Sequence, residues 1–328
     1  MISTLSQESN KVMITMRFQR GYGATIIDIN VDHENTLLHR DIDKMKTMLK
    51  YNDPDVSIIC SRSVTIRDPI FQPSTEKLYL RNVILSREVI QSLPKSLKTL
   101  IVNHDQPYLD ELDIQRLVIS PFCDNYNVPA TVKELEILDG QDMVINCHDQ
   151  LEKFTLSSKN AVVTLANCNN LKHLHVAHVT SRVCGEFLDY ISDFTLSYTI
   201  RTKMYSESVI YLCEYLSMFK NLQSYEGYIE RDILKALGSI RKITYHKPVH
   251  VTIDDIPDSL EDMNFMIDGT NSSDILDKKP NIKRIRYSES TLIVQEVTNR
   301  YPDVYFYSYE GVTIDRHNKK LSSLLDLC

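Results

Sequence analysis

His173, His175 and His178 form the densest histidine cluster in the chain. The first two stand two residues apart, so on a strand both imidazoles face one side. With Cys147 and His148 supplied from a neighbouring turn, this is the one constellation that reads as metal chemistry, at its most ambitious a metal-assisted hydrolase. Zinc held by imidazoles needs at least a third ligand in tetrahedral register, and strand histidines of this kind are more often plain polar surface. The other chemical motifs fail on spacing. His33-Glu34 is followed by Leu37 where a metalloprotease helix places its second histidine, and Asp254 to Asp262 lacks the spaced ligands, central Gly and terminal Glu of a calcium loop. None of the eight glycines precedes a Lys, which excludes a Walker A loop, and Gly21-Tyr22-Gly23 is too little for a dinucleotide site. A Gly-x-Ser-x-Gly elbow is also missing, and Asn271-Ser272-Ser273 reads as an idle glycosylation match. The expectation is therefore a protein that is not an enzyme, with no metal and no cofactor.

Composition points the same way. Across 328 residues, 37 Lys and Arg face 44 Asp and Glu, a net charge of −7 that argues against nucleic acid as the partner, because phosphate neutralisation needs a basic surplus. The seven cysteines (60, 123, 147, 168, 184, 213 and 328) are scattered without a CxxC pair, as reduced thiols used for packing are. The opening MISTLSQESNK lacks the basic start and apolar core of a secretory signal, and no apolar run reaches the roughly 20 residues of a membrane helix. A cytoplasmic location without membrane contact is expected.

What positions these residues is a repeat. The pattern apolar-x-x-apolar-x-apolar begins at 75, 97, 114, 132, 151, 171, 191, 222, 240, 260, 282 and 304, as in Leu97-Leu100-Val102, Leu171-Leu174-Val176 and Leu260-Met263-Phe265. The mean interval is about 21 residues, a solenoid's period. Of the 36 positions set inward by this register, only Thr75 and Gly227 are not hydrophobic. Of the 24 set outward, only Tyr79, Ile101, Val118 and Phe306 are apolar. The fourth and sixth positions share one face of a short strand, and the first turns the chain into it. A single copy buries too little to offset its ordering entropy, so the copies must stack.

The return segments are predicted to differ along the chain. Ser206 caps a helix carrying Val209, Leu212, Cys213, Leu216 and Phe219, Arg231 to Leu237 reads as a helix stopped by Gly238, and Thr291 to Arg300 reads as another. The interval from 114 to 132 is short and rich in Pro, Asn and Asp, so extended or turn-like returns are expected there. Ahead of the repeats, VMITMRF and ATIIDINV read as a hairpin about Gly21-Tyr22-Gly23. Leu37, Leu38, Ile42, Met45, Met48 and Leu49 follow at helical spacing, and Val56 with Ile59 fits a degenerate extra rung.

These strand signatures, with the entries Leu93-Pro94-Lys95-Ser96-Leu97, Val128-Pro129-Ala130-Thr131-Val132 and Ile256-Pro257-Asp258-Ser259-Leu260, resemble the leucine-rich repeat superfamily over residues 75 to about 310. The Pro-x-Ser/Thr entry is similar to that of bacterial-effector and FNIP repeats. The resemblance implies an α/β, leucine-rich-repeat-like solenoid with parallel strands on one face and helices or turns on the other. Residues 1–70 are expected as an N-terminal β-hairpin/helix cap or small docking module, 71–310 as the solenoid and 311–328 as a tail too short for the catalytic-cysteine ligase domain of the effectors.

On such a stack the outward positions form one continuous surface, with neighbouring strands about 4.8 Å apart. Hot spots combine aromatic or apolar anchors with Arg. That singles out Tyr79, Ile101, Arg116 and Val118, continued by Glu134, Glu136, Lys153, His173 and His175, with Arg284 and Arg286 beside Phe306 farther on. The functional expectation is a non-catalytic protein-protein interaction module binding a protein partner along the strand face. The second reading, implied by the resemblance, is a substrate adaptor for a ubiquitin ligase or other multiprotein complex, docked through residues 1–70.

Overall fold

The computed structural model describes residues 12–19, 24–31, 39–49, 54–103, 106–120, 125–138, 141–178, 180–196, 206–287 and 297–308. The hairpin turn Gly21-Tyr22-Gly23, Leu37, Leu38, Cys123, Tyr309, residues 291–296 and the 311–328 tail lie outside them. The chain divides into two compact units, Met1–Leu171 with Thr180–Phe187, and Lys172–Val179 with Leu188–Cys328. Among the described residues, no helix is long and apolar enough to cross a membrane.

Unit 1 opens with β1 (Val12–Gln19) and β2 (Ala24–Val31), an antiparallel hairpin with Gln19 opposite Ala24. Helix α1 (His39–Met48) follows, with Ile42 and Met45 buried. β3 (Asp55–Ile66) lies parallel to β2, and β4 (Lys77–Leu85), β5 (Thr99–Val102), β6 (Arg116–Ile119), β8 (Glu134–Ile137) and β10 (Lys153–Leu156) are added in order, all parallel. The register from Lys77 through Thr99, Arg116 and Glu134 to Lys153 is unbroken. The inward triplets behave as the pattern requires: Leu78, Leu80, Leu100, Leu117, Leu135, Ile137, Phe154 and Leu156 are buried, and so is Thr75. Between β4 and β5 the short helix α2 (Arg87–Gln91) is capped by Ser86, whose hydroxyl accepts from Val89 N at 3.4 Å.

The later return segments of this unit build a second parallel sheet from β7 (Asn125–Asn127), β9 (Met143–Asn146), β11 (Val162–Ala166) and β13 (Arg182–Cys184). The β-branched residues of β9, β11 and β13 favour extended backbone, and Met143, Ile145, Val163, Leu165 and Val183 are buried. The extended returns expected after residue 114 are thus present. Nearer the N-terminus, β3 and β4 shift register between Ile59 and Val64, and Asn82 turns the corner with φ 57°. Asn82 N–H donates to Asn103 Oδ1 at 2.7 Å, and Asn82 Nδ2 donates to Cys60 O at 2.8 Å. The buried Gln106 amide then stands in for a further strand, accepting from Leu85 N at 2.9 Å and donating to Val83 O at 2.5 Å.

The Pro-x-Ser/Thr entries acquire a physical role. The residue just before the first inward position donates to carbonyls of the preceding copy: Ser96 Oγ to Thr75 O (2.7 Å), Thr131 Oγ1 to Ile114 O (3.0 Å) and Ser259 Oγ to Ile240 O (2.8 Å). Asn170, Asn221 and Asn281 make the same stitch to Asp149, Asp189 and Asp258 O. Each bond satisfies a turn carbonyl that has no ladder partner.

Unit 2 stacks β12 (His173–Val176), β14 (Asp193–Leu196), β15 (Ser224–Glu226), β16 (Lys242–Val249), β17 (Asp262–Ile267), β18 (Arg284–Tyr287) and β19 (Tyr305–Ser308), again parallel. Its returns include α3 (Ser206–Leu216), α4 (Arg231–Ala236) and α5 (Ser272–Lys278), with residues 297–300 also helical. Val209, Leu212 and Leu216 of α3 are buried as their spacing predicts. Gly227 occupies an inward position because the Tyr225 ring needs the room: a Cβ there would lie 2.7 Å from Tyr225 Oη.

Two registers differ from expectation. Val56 pairs with Leu78, so the extra rung exists but Ile59 points away from the triplet face. In the last copy Arg284 pairs with Tyr305 and Ile285 with Phe306. Phe306 is therefore buried, at 3 % exposure, and Tyr305, at 59 %, stands beside Arg284. Every residue from Tyr305 to Tyr307 is aromatic, so alternation alone does not choose the face, and a one-residue slip exchanges the two sets.

Candidate functional site

In unit 1 the outward strand positions fall into two rows. The first runs Ile26, Ser57, Tyr79, Ile101, Val118, Glu136 and Thr155, and the second Asp55, Lys77, Thr99, Arg116, Glu134 and Lys153. The fold thus brings Tyr79, Ile101, Arg116, Val118, Glu134, Glu136 and Lys153 onto one face. Tyr79 and Ile101 are half-buried, as are Ile26 in the same row and Ile59 on β3. Reading the first seventy residues apart from the repeats misses Ile26 and Ile59; the alternation Val56, Ile58, Cys60 is the signal that finds them.

Val118 is corrected. It points away from the core but is only 3 % exposed, so it offers a partner no surface. Strands about 4.8 Å apart let the longer Ile101 and Glu136 side chains, its neighbours in the row, close over a short β-branched one. Arg116 is engaged within the chain, with its guanidinium 3.1 Å from Glu136 and 3.9 Å from Glu134. Ser157 Oγ also donates to Glu136, at 3.2 Å. Such exposed pairs contribute about 0.2–1 kcal/mol, so their main effect is to fix the orientation of Arg116. Lys153 is exposed at the end of its row.

His173 and His175 lie on β12 of unit 2, His173 exposed and His175 half-buried. His173 Nδ1 is 3.2 Å from Asp193 Oδ2, which also accepts from Ser192 Oγ at 2.7 Å. Serine and imidazole share one carboxylate here. A nucleophilic relay instead requires the imidazole between the two. Cys147 is buried in unit 1, with its thiol 3.9 Å from Ile145 O. Among the described residues, no group of three or more His, Cys, Asp or Glu side chains is placed to hold a metal ion.

What this face can do is bind. Half-exposed apolar side chains sit in fixed register between charges of both signs, on a backbone whose hydrogen bonds are already satisfied by the ladder. No protein-family model matches the chain, and no curated protein sequence does.

Proposed function

We propose that this chain is a non-catalytic protein-interaction module of the leucine-rich-repeat type, binding a protein partner across the strand face of unit 1. The observation that carries the reading is the half-exposed apolar pair Tyr79 and Ile101, with Ile26 one strand beyond Ser57 in the same row, held in register beside Lys77 and Arg116. Aromatic and aliphatic anchors rimmed by charge are the usual composition of an interface centre. In this reading the β1–β2 hairpin serves as the N-terminal cap, ending the parallel stack with an antiparallel pair. Affinity capture tests it. The intact chain is expected to retain a protein that Tyr79→Ala and Ile101→Asp variants, checked for unchanged thermal unfolding, release. A Lys242→Glu variant in unit 2 is expected to keep it. Retention of every partner by both unit 1 variants would reject the reading.

A further inference from the structure

Cys147 and Cys168 lie on neighbouring rungs, Cys147 one residue past the end of β9 and Cys168 two past the end of β11, so that the 20-residue register of these strands sets them one residue out of step. Both are buried, at 3 % exposure each. The Cys147 N–H donates to Ala166 O at 3.0 Å, which locks the two rungs together at this point. Cys168 Sγ is 3.4 Å from Ala166 O, and Cys147 Sγ is 3.9 Å from Ile145 O. Ala166 O is thus shared by the Cys147 N–H and the Cys168 thiol, and the neighbouring Cys168 thiol first, with burial second, holds Cys147 protonated well above the ordinary thiol range. Cys60 differs: burial is what pushes its thiol up to about 12.

From this geometry we propose that Cys147 and Cys168 are a dithiol site that closes to a disulfide, covalently stapling two consecutive rungs of unit 1. Rungs about 4.8 Å apart, with a further offset of one residue or about 3.3 Å along the strand, put the two Cα atoms roughly 6 Å apart, inside the roughly 4.4–6.8 Å that a disulfide accepts. The oxidant is a small-molecule disulfide. One cysteine thiolate attacks a sulfur of that disulfide, forming a mixed disulfide and releasing one small thiol. The second cysteine, deprotonated in turn, attacks the protein-bound sulfur and releases the other. Two protein thiols and one small disulfide become one protein disulfide and two small thiols. Because both thiols are buried, the first attack requires opening of the adjacent turn, whose His148, Asp149 and Gln150 are exposed. Reaction is therefore slow in the native state.

The test uses the full chain. It is incubated under native conditions with glutathione disulfide, free thiols are alkylated, and the unreduced digest is mapped by mass spectrometry. The expected result is a linked Cys147–Cys168 peptide pair that is lost on reduction, absent from a Cys168→Ser variant and retained by Cys184→Ser. Oxidised chain should also unfold at higher urea, and reductant should reverse this. If Cys147 and Cys168 both remain alkylatable after unfolding while the half-exposed Cys184 has formed a mixed disulfide, the proposal is overturned. Pairing of either with a different cysteine overturns it as well. The Cys168→Ser result remains interpretable if that variant is less stable, because the linkage is read first in the unaltered chain.

Discussion

Two return segments of equal length took opposite forms. The interval from Ile114 to Val132 is 18 residues and returns through β7; the interval from Leu222 to Ile240 is also 18 and returns through α4. Length therefore does not select the return. Composition does: Asn125-Tyr126-Asn127 is poor in helix formers, whereas Arg231-Asp232-Ile233-Leu234-Lys235-Ala236 is mostly made of them. The strand triplet is shared by both units, and each unit closes its core with what the returns supply. In unit 1 this is chiefly a second sheet. In unit 2 it is helices and an aromatic cluster in which Phe194 lies 5.3 Å from Phe219 and 6.0 Å from Tyr225.

If the triplet does the same work in both settings, its central residue should be worth the same in both. Phe154 in unit 1 and Phe194 in unit 2 hold that central position and are fully buried. Phe154→Ala and Phe194→Ala are each expected to cost about 3–5 kcal/mol in urea unfolding. A markedly smaller loss in one unit would break the equivalence and identify the return that packs less tightly. The next effect belongs to unit 2 alone. Gly227→Val places a side chain against the Tyr225 ring and should cost about 1–3 kcal/mol. The pair Tyr225→Leu with Gly227→Val recreates the ordinary triplet of Leu174 and Val176 and should recover part of that loss; no recovery would mean that Gly227 serves some purpose other than admitting the ring.

The rung stitches sharpen the comparison because they recur in both units. Thr131→Val in unit 1 and Ser259→Ala in unit 2 each remove a donor from a turn carbonyl, for an expected loss of about 1 kcal/mol apiece. Unequal losses would show that one unit satisfies that carbonyl from another source.

The triplets were readable because period 2 and a spacing of about 21 residues both leave marks in the sequence. Other features left no such mark. The place of Phe306 was hidden in an all-aromatic run, and the burial of Val118 depends on the side chains that flank it on the neighbouring strands. Gln106 looked like an ordinary loop residue, since only the unpaired backbone of Val83 and Leu85 makes its amide necessary. The outward strand residues were legible as positions on a face, but the ion pairs that hold Arg116 are set by rotamers that spacing does not encode.

The smallest expected effects separate the units by their electrostatics. In each, one carboxylate ties a return to the next: Glu111 accepts from Gln91 Nε2 at 2.9 Å and lies 2.7 Å from Arg87, and Asp255 accepts from Thr252 N at 3.0 Å and from Arg231 Nε at 2.8 Å. Both are held below the usual carboxylate range, Glu111 first by Gln91 and then by Arg87, Asp255 first by the Thr252 backbone and hydroxyl and then by Arg231. A folded pKa below the unfolded one gives stability that is complete above about pH 4 and is lost as pH falls through the folded value. Glu111→Gln and Asp255→Asn should therefore be less stable than the parent at pH 7 and converge on it near pH 2, by less than the stitch variants lose. Added salt divides them. Exposed charge pairs are screened whereas backbone hydrogen bonds are not, so at about 1 M salt the deficit of Glu111→Gln should shrink more than that of Asp255→Asn. Equal shrinkage in thermal melts would mean that Arg231, rather than the Thr252 backbone, dominates at Asp255, and that the two units anchor their returns in the same way.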